Sequence, residues 1–154
     1  MTKPIPKSVL SFDVGRKRIG LAGCDPLGIT ISRLPALQRK TFEKDLEAIK
    51  KHCQYRNVKG LIIGIPLNEQ GELTKQARYS EQYGKRIARN LDLPIAWINE
   101  HSSSWAAAQK YKLQDDRTGQ LDSAAAGLLL EQWLREGPEL KPVHMPAYPM
   151  RHVN

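Results

Sequence analysis

The hydrophobic period changes once along this chain, and that change restricts the fold more than any other feature. Residues 9–14 and 19–24 are short β-rich runs around the turn Gly15-Arg16-Lys17-Arg18, and 29–34 is a third after Asp25-Pro26-Leu27-Gly28. Together they predict an antiparallel meander. From Thr41 the spacing becomes helical, with Phe42, Leu46, Ile49 and Cys53 on one stripe, Thr41 as N-cap, and Glu43 and Asp45 in the first turn. The run Gly60-Leu61-Ile62-Ile63-Gly64-Ile65 is apolar throughout, as a central strand covered on both faces requires.

A loop at 66–71 leads into a second helix over 74–91, whose stripe is Ala77, Ser80, Tyr83, Gly84, Ile87, Ala88 and Leu91. Residues 94–98 read as the next buried strand, and 102–112 and 122–135 as two further helices, the last stopped by Gly137-Pro138. Three antiparallel strands followed by alternating helices and strands predict an α/β domain: a mixed five-stranded sheet with helices on both faces. We assign this domain to residues 1–137. Residues 138–154 carry four of the ten prolines and are expected to form an extended, poorly ordered tail.

At 154 residues the chain fits one domain, and it has no apolar run long enough to span a bilayer and no secretory signal, so a cytoplasmic protein without a membrane partner is expected. Cys24 and Cys53 lack a second Cys or His at a metal-binding interval and read as buried free thiols. The net charge is +8, and it is one-sided: residues 1–60 hold 13 Lys or Arg against 5 Asp or Glu. A polyanion-binding surface needs that asymmetry, although a solvated face satisfies it equally.

Open sheets of this kind place their sites at strand carboxyl ends. Three acids fall there: Asp13 ending the first strand, Glu100 just beyond the last, and Asp122 opening the final helix. Taken singly, each has a plainer role as turn former, solvated acid or cap. Apolar neighbours change the balance, since Phe12 and Val14 flank Asp13 while Leu121 and Ala124-Ala125-Ala126 surround Asp122. Carboxylates drawn to one dry spot repel one another unless a cation joins them, and oxygen ligands select Mg²⁺ or Mn²⁺. Such a trio suits hydrolysis of a phosphodiester.

Four blocks in order, Phe12 to Ala22, Ile63 to Gly71, Asn99 to Ser104 and Leu121 to Ala126, resemble the YqgF (RuvX) family over nearly the whole chain up to the Pro-rich tail. The resemblance implies an RNase H-like fold shared with Holliday-junction resolvases, with Asp13, Glu100 and Asp122 as catalytic, metal-binding acids. It further implies a nuclease that matures the 5′ end of the small-subunit ribosomal RNA precursor, which makes pre-rRNA the expected partner and branched DNA the alternative.

Where the family carries Asp-Glu-Arg, this chain reads Asn99-Glu100-His101. His101 replaces the fixed Arg cation only in part, being mostly neutral near pH 7, so phosphate contact is expected to shift to Arg16, Lys17 and Arg18. Asn68, in the loop after the central strand, and Arg117, in a lid-like loop over 114–120, complete the expected nucleic-acid-binding set. Arg78, Lys85, Arg86 and Arg89 are expected to be a solvated helix face, and Trp97 and Trp105 core residues. A Ser-His-acid triad is a poor rival, because adjacency of His101 and Ser102 in sequence says nothing about geometry. An actin-like ATPase would need a second lobe that does not fit here. A non-catalytic RNA-binding assembly factor on the same fold stays open.

Overall fold

The computed structural model describes residues 3–100 and 120–144, of which 120–122 by their backbone alone. Five strands, β1 (Val9–Val14), β2 (Arg18–Cys24), β3 (Ile31–Gln38), β4 (Gly60–Ile65) and β5 (Ile95–Asn99), form one sheet in the order β3-β2-β1-β4-β5. The expected meander is present, β2 pairing antiparallel with both β1 and β3. β1, β4 and β5 run parallel, so their carboxyl ends share one edge of the sheet. β3, antiparallel to β2, ends at that edge too.

Helices α1 (Phe42–Arg56) and α2 (Lys75–Leu91) cover one face, and α3 (Gln120–Glu136) covers the other. Strand alternation sorts the side chains: Leu10, Phe12 and Val14 point to the α1/α2 side, whereas Val9 and Ser11 point to α3. Thr41 and Thr74 cap α1 and α2, each side-chain oxygen accepting from the backbone N–H three residues on, at 3.2 and 3.0 Å. Asn57 and Asp92 end these helices in the left-handed conformation, their N–H groups closing on the last turn.

One strand departs from its expected bounds. β3 starts two residues later than the sequence pattern suggested and runs on to Gln38, through Pro35. An edge strand tolerates proline because its outer side makes no ladder bonds, and a register shift between Ile19 and Leu21 absorbs the misfit. Asp45 lies in the first turn of α1, as expected, and is buried there. Its carboxylate is 1% exposed and accepts from the Lys40 N–H at 2.9 Å and the Tyr83 hydroxyl at 3.2 Å, with the Arg39 guanidinium 3.7 Å away. Burial, and then the neighbouring Asp45 charge, push the Tyr83 hydroxyl pKa up, so it stays a donor.

Residues 138–144 are tied down where a loose tail was expected. Ile95 and Lys141 exchange backbone hydrogen bonds at 2.8 and 2.9 Å, and Trp133 Nε1 donates to the Pro138 carbonyl at 2.6 Å. The helix expected over 102–112 lies outside the described residues.

Cys24 and Cys53 are free and buried, and Trp97 lies in the core, as expected. Burial pushes the Cys53 thiol up to about 11. At pH 8 roughly one molecule in a thousand then carries the thiolate, against about a quarter for a free cysteine. Titration with a disulfide reagent at pH 8 is therefore expected to label Cys53 more than about 100-fold slower in the native protein than in urea; equal rates would show the packing around α1 to be wrong.

Candidate active site at the carboxyl edge of the sheet

Asp13 is the fifth residue of β1 and alternates with Val9 and Ser11, so its side chain lies on the α3 face. On one side it pairs in register with Gly20 of β2. On the other, β1 and β4 pair through Phe12 and Ile63, which brings Gly64 alongside Asp13. Asp13 is 5% exposed, and its side chain stands between two strand positions that have no side chains to crowd it.

Glu100 follows β5 directly. Its N–H donates to the Ile65 carbonyl at 3.1 Å, extending the β4/β5 ladder by one step, and the alternation Ala96, Ile98, Glu100 turns the side chain to the α3 face. There it folds over Gly64. A Cβ at residue 64 would overlap Glu100 Oε1 and lie 3.1 Å from its Cδ and 2.5 Å from Leu129 Cδ1. The space above Gly64 is therefore the seat of the Glu100 carboxyl group, and Glu100 as a residue is 4% exposed. Two acids, 87 positions apart in the chain, flank a single glycine on one face at one edge.

The first turns of α3 are pinned to this face by two serine hydroxyls. Ser123 Oγ donates to the Leu34 carbonyl at 2.5 Å and accepts from the Leu21 N–H at 3.4 Å, joining the helix to β3 and β2. Ser11 Oγ donates to the Ala126 carbonyl at 2.9 Å, joining it to β1. The backbone of residue 122 belongs to this first turn, and the Asp122 side chain lies outside the described residues.

Gly15 makes the turn between β1 and β2 so tight that a Cβ there would meet the Arg18 carbonyl oxygen at 2.6 Å. Arg16 and Lys17 project into solvent at the same edge as the acids, and Arg18 is half-buried. Asn68 shapes its own loop: its Oδ1 accepts from the Gln70 and Glu72 N–H groups at 3.0 and 2.8 Å. His101 and Arg117 lie outside the described residues. On α2, Lys85 pairs with Glu81 at 3.7 Å and Arg86 stacks 3.6 Å over the Phe42 ring.

Sequence reasoning missed Gly64, Ser123 and Arg39. A glycine inside an otherwise apolar strand was the signal for the first, because it marks close approach of another group. Ser123 had no signal beyond its place beside Asp122.

An open mixed sheet with buried acids at its parallel carboxyl edge and a helix across one face has the architecture of the RNase H-like nucleases. The profile of the family described as "RuvX: Holliday junction resolvase" matches residues 7–136, and the chain belongs to that family. It is 67% identical over 153 residues to a Prochlorococcus marinus (strain MIT 9313) protein named "Putative pre-16S rRNA nuclease", covering 99% of this chain and 95% of the relative. A Synechococcus sp. (strain CC9902) protein of the same name is 60% identical over 147 residues, covering 96% of this chain and 90% of that one. Thermus thermophilus RuvC in complex with a Holliday junction substrate superposes with a TM-score of 0.56 at 14% identity, over 88% of this chain and 99% of that one, a likeness of fold.

Replacing Gly64 by alanine separates site from stability. The groups in the way are ends of flexible side chains, so they move aside at a cost of about 1–2 kcal/mol, while the Glu100 carboxyl leaves its seat. We expect Gly64→Ala to lower nuclease turnover at least about 100-fold with only a modest fall in melting temperature; unchanged turnover would show that the seat does not matter. Ser123→Ala strands the Leu34 carbonyl and is expected to cost about 1–3 kcal/mol in chemical denaturation, loosening the start of α3.

Proposed function

We propose that this chain is a divalent-metal-dependent endonuclease that hydrolyses phosphodiester bonds in the precursor of small-subunit ribosomal RNA, near the 5′ end of the mature sequence, in the cytoplasm. The observation that carries the reading is the Glu100 carboxyl group seated over Gly64 beside Asp13, two buried acids at the strand carboxyl edge. Two buried carboxylates on one face are a donor set of hard oxygens without a competing thiol or imidazole among the described residues at that edge, and this fits Mg²⁺ or Mn²⁺. Asp13, Glu100 and Asp122 would hold it. When bound, such an ion supplies Lewis acidity at the phosphoryl oxygen and lowers the pKa of a coordinated water.

The chain's own groups do the remaining work. Arg16, Lys17 and Arg18 at the hairpin tip neutralise phosphates on either side of the scissile one and set the register of the strand. The capped N-termini of α1 and α2 lie at this edge as well and add positive potential. Asn68 holds its loop in the shape that borders the cleft, and His101 and Arg117 are proposed as further phosphate contacts. Water attacks phosphorus in line with the departing ribose oxygen; the P–O bond to that oxygen breaks, leaving a phosphate on one fragment and a hydroxyl on the other. No covalent enzyme intermediate is required.

Support for pre-rRNA as substrate comes from the names of the Prochlorococcus and Synechococcus relatives, and support for branched DNA from the description of the family. Cleavage of precursor ribosomal RNA, single-stranded RNA and four-way DNA junctions, each with Mg²⁺ or Mn²⁺, decides between them. Asp13→Asn is expected to lower cleavage at least about 100-fold and to abolish the rise in melting temperature that either ion gives the parent. Tight RNA binding by a parent protein that cuts none of the three substrates would establish a binding module instead. Lys17→Ala and Arg18→Ala are each expected to lessen the slope of log affinity against log salt by about 0.7 on single strands.

A further inference from the structure

A second positive surface adjoins the hairpin tip. Between the later half of β3 and α1 lies an open groove of about 350 Å³ bordered by Gln38, Lys40, Lys44, Glu47 and Lys51. Gln38 is in register with Arg18, so the groove begins at the tip and runs down the flank of the sheet along α1. Lys44 and Lys51 lie about 10 Å apart along the helix axis.

The acids in its wall do not cancel the lysines. Asp45 is sealed: its carboxylate takes the Lys40 N–H and the Tyr83 hydroxyl and faces Arg39, as described above. Glu47 pairs with Lys51 at 3.9 Å, but both side chains are about three-quarters exposed, and a pair in that setting is weak and easily traded for a phosphate.

The junction between β3 and α1 is also held rigidly against the tip. Arg39 Nη1 donates to the Gly15 carbonyl at 3.0 Å and to the Tyr79 hydroxyl, and the Arg39 N–H donates to the Lys17 carbonyl at 2.9 Å. Its guanidinium stands 4.6 Å from the centre of the Tyr83 ring. The tip and the rim of the groove therefore form one preorganised surface, with Arg39 as its positioning residue.

We propose that the groove between β3 and α1 binds the phosphate backbone of the polynucleotide beyond the hairpin tip, so that Arg16, Lys17, Arg18, Lys40, Lys44 and Lys51 form one continuous track. The proposal rests on the nuclease reading for the chemistry of its ligand and extends it to nucleotides that flank the cleaved bond. Lysines contact phosphates as point charges and read no base edges, so the track is indifferent to sequence and favours longer strands.

The test uses labelled single-stranded RNAs of roughly 6 and 24 nucleotides, with a chelator present so that binding is measured apart from cutting. The full chain is compared with Lys44→Ala/Lys51→Ala and with Lys85→Ala/Arg89→Ala, a charge-matched change on α2. Two lost phosphate contacts lessen the salt slope by about 1.4 and weaken binding of the long RNA about 25-fold at 0.1 M salt. The groove variant is expected to show both changes and to lose the advantage of the long RNA; the α2 variant is expected to keep the parental values. A groove variant with parental slope and length dependence overturns the track, while cutting by the parent leaves the nuclease reading intact. Equal losses in the two variants also overturn it, since general charge then explains the effect. Binding of a polyglutamate peptide through Lys44 and Lys51, with no RNA binding to the groove, overturns it in favour of an acidic protein partner. A parent that cuts nothing yet shows the expected binding pattern sinks the nuclease reading alone.

Discussion

Two acids buried beside one glycine on a single face of the sheet are the constraint to which the rest of this structure answers. Asp13 and Glu100 fit on the α3 face because Gly20 and Gly64 leave room on the sheet surface and α3 closes over it. A helix held by apolar contact alone would slide or rotate at modest cost. The hydroxyls of Ser11 and Ser123 add directional bonds to the backbone of both partners, and these set the height of α3 against the strands. The site is thus built by the packing of one helix on one face, and the other face, under α1 and α2, serves mainly as core.

Charge is distributed on the same plan. The excess cations of residues 1–60 would mean little if they were spread evenly, but β1 and β3 both finish at the site edge, and the turn between β1 and β2 closes there. Arg16 to Arg18, Gln38 to Lys40 and the start of α1 therefore gather at the same edge of the sheet as the acids. The Arg39, Asp45 and Tyr83 network welds the two cationic segments together from beneath. Buried ion pairs of this sort contribute less to net stability than to holding one arrangement, and here the arrangement presents lysines to solvent.

Much of the fold was legible in the sequence, for identifiable reasons. The apolar run Gly60–Ile65 and the turn at Gly15 are local signals, and β4 and β1 follow them. The Thr41 cap and the stripes of α1 and α2 did the same for the helices. β3 was less legible, because Pro35 reads as a stop signal unless one knows that the strand lies at the edge. The place of Asp45 in a first turn was legible, but its burial was not, because only the approach of Arg39 and Tyr83 from other elements makes that tolerable.

The candidate acids themselves could be named from their neighbours and from the family likeness. Their meeting is another matter. Residue types, spacing and periodicity determined which segments become strands and helices and which faces are apolar, because those are set by interactions over a few residues. That the Glu100 carboxyl rests on Gly64 beside Asp13, and that the basic turn shares their edge with the groove along α1, was decided only by tertiary structure. Strand order, the parallel pairing of β1, β4 and β5 and the seating of α3 join positions nearly a hundred residues apart, and no local signal carries that information.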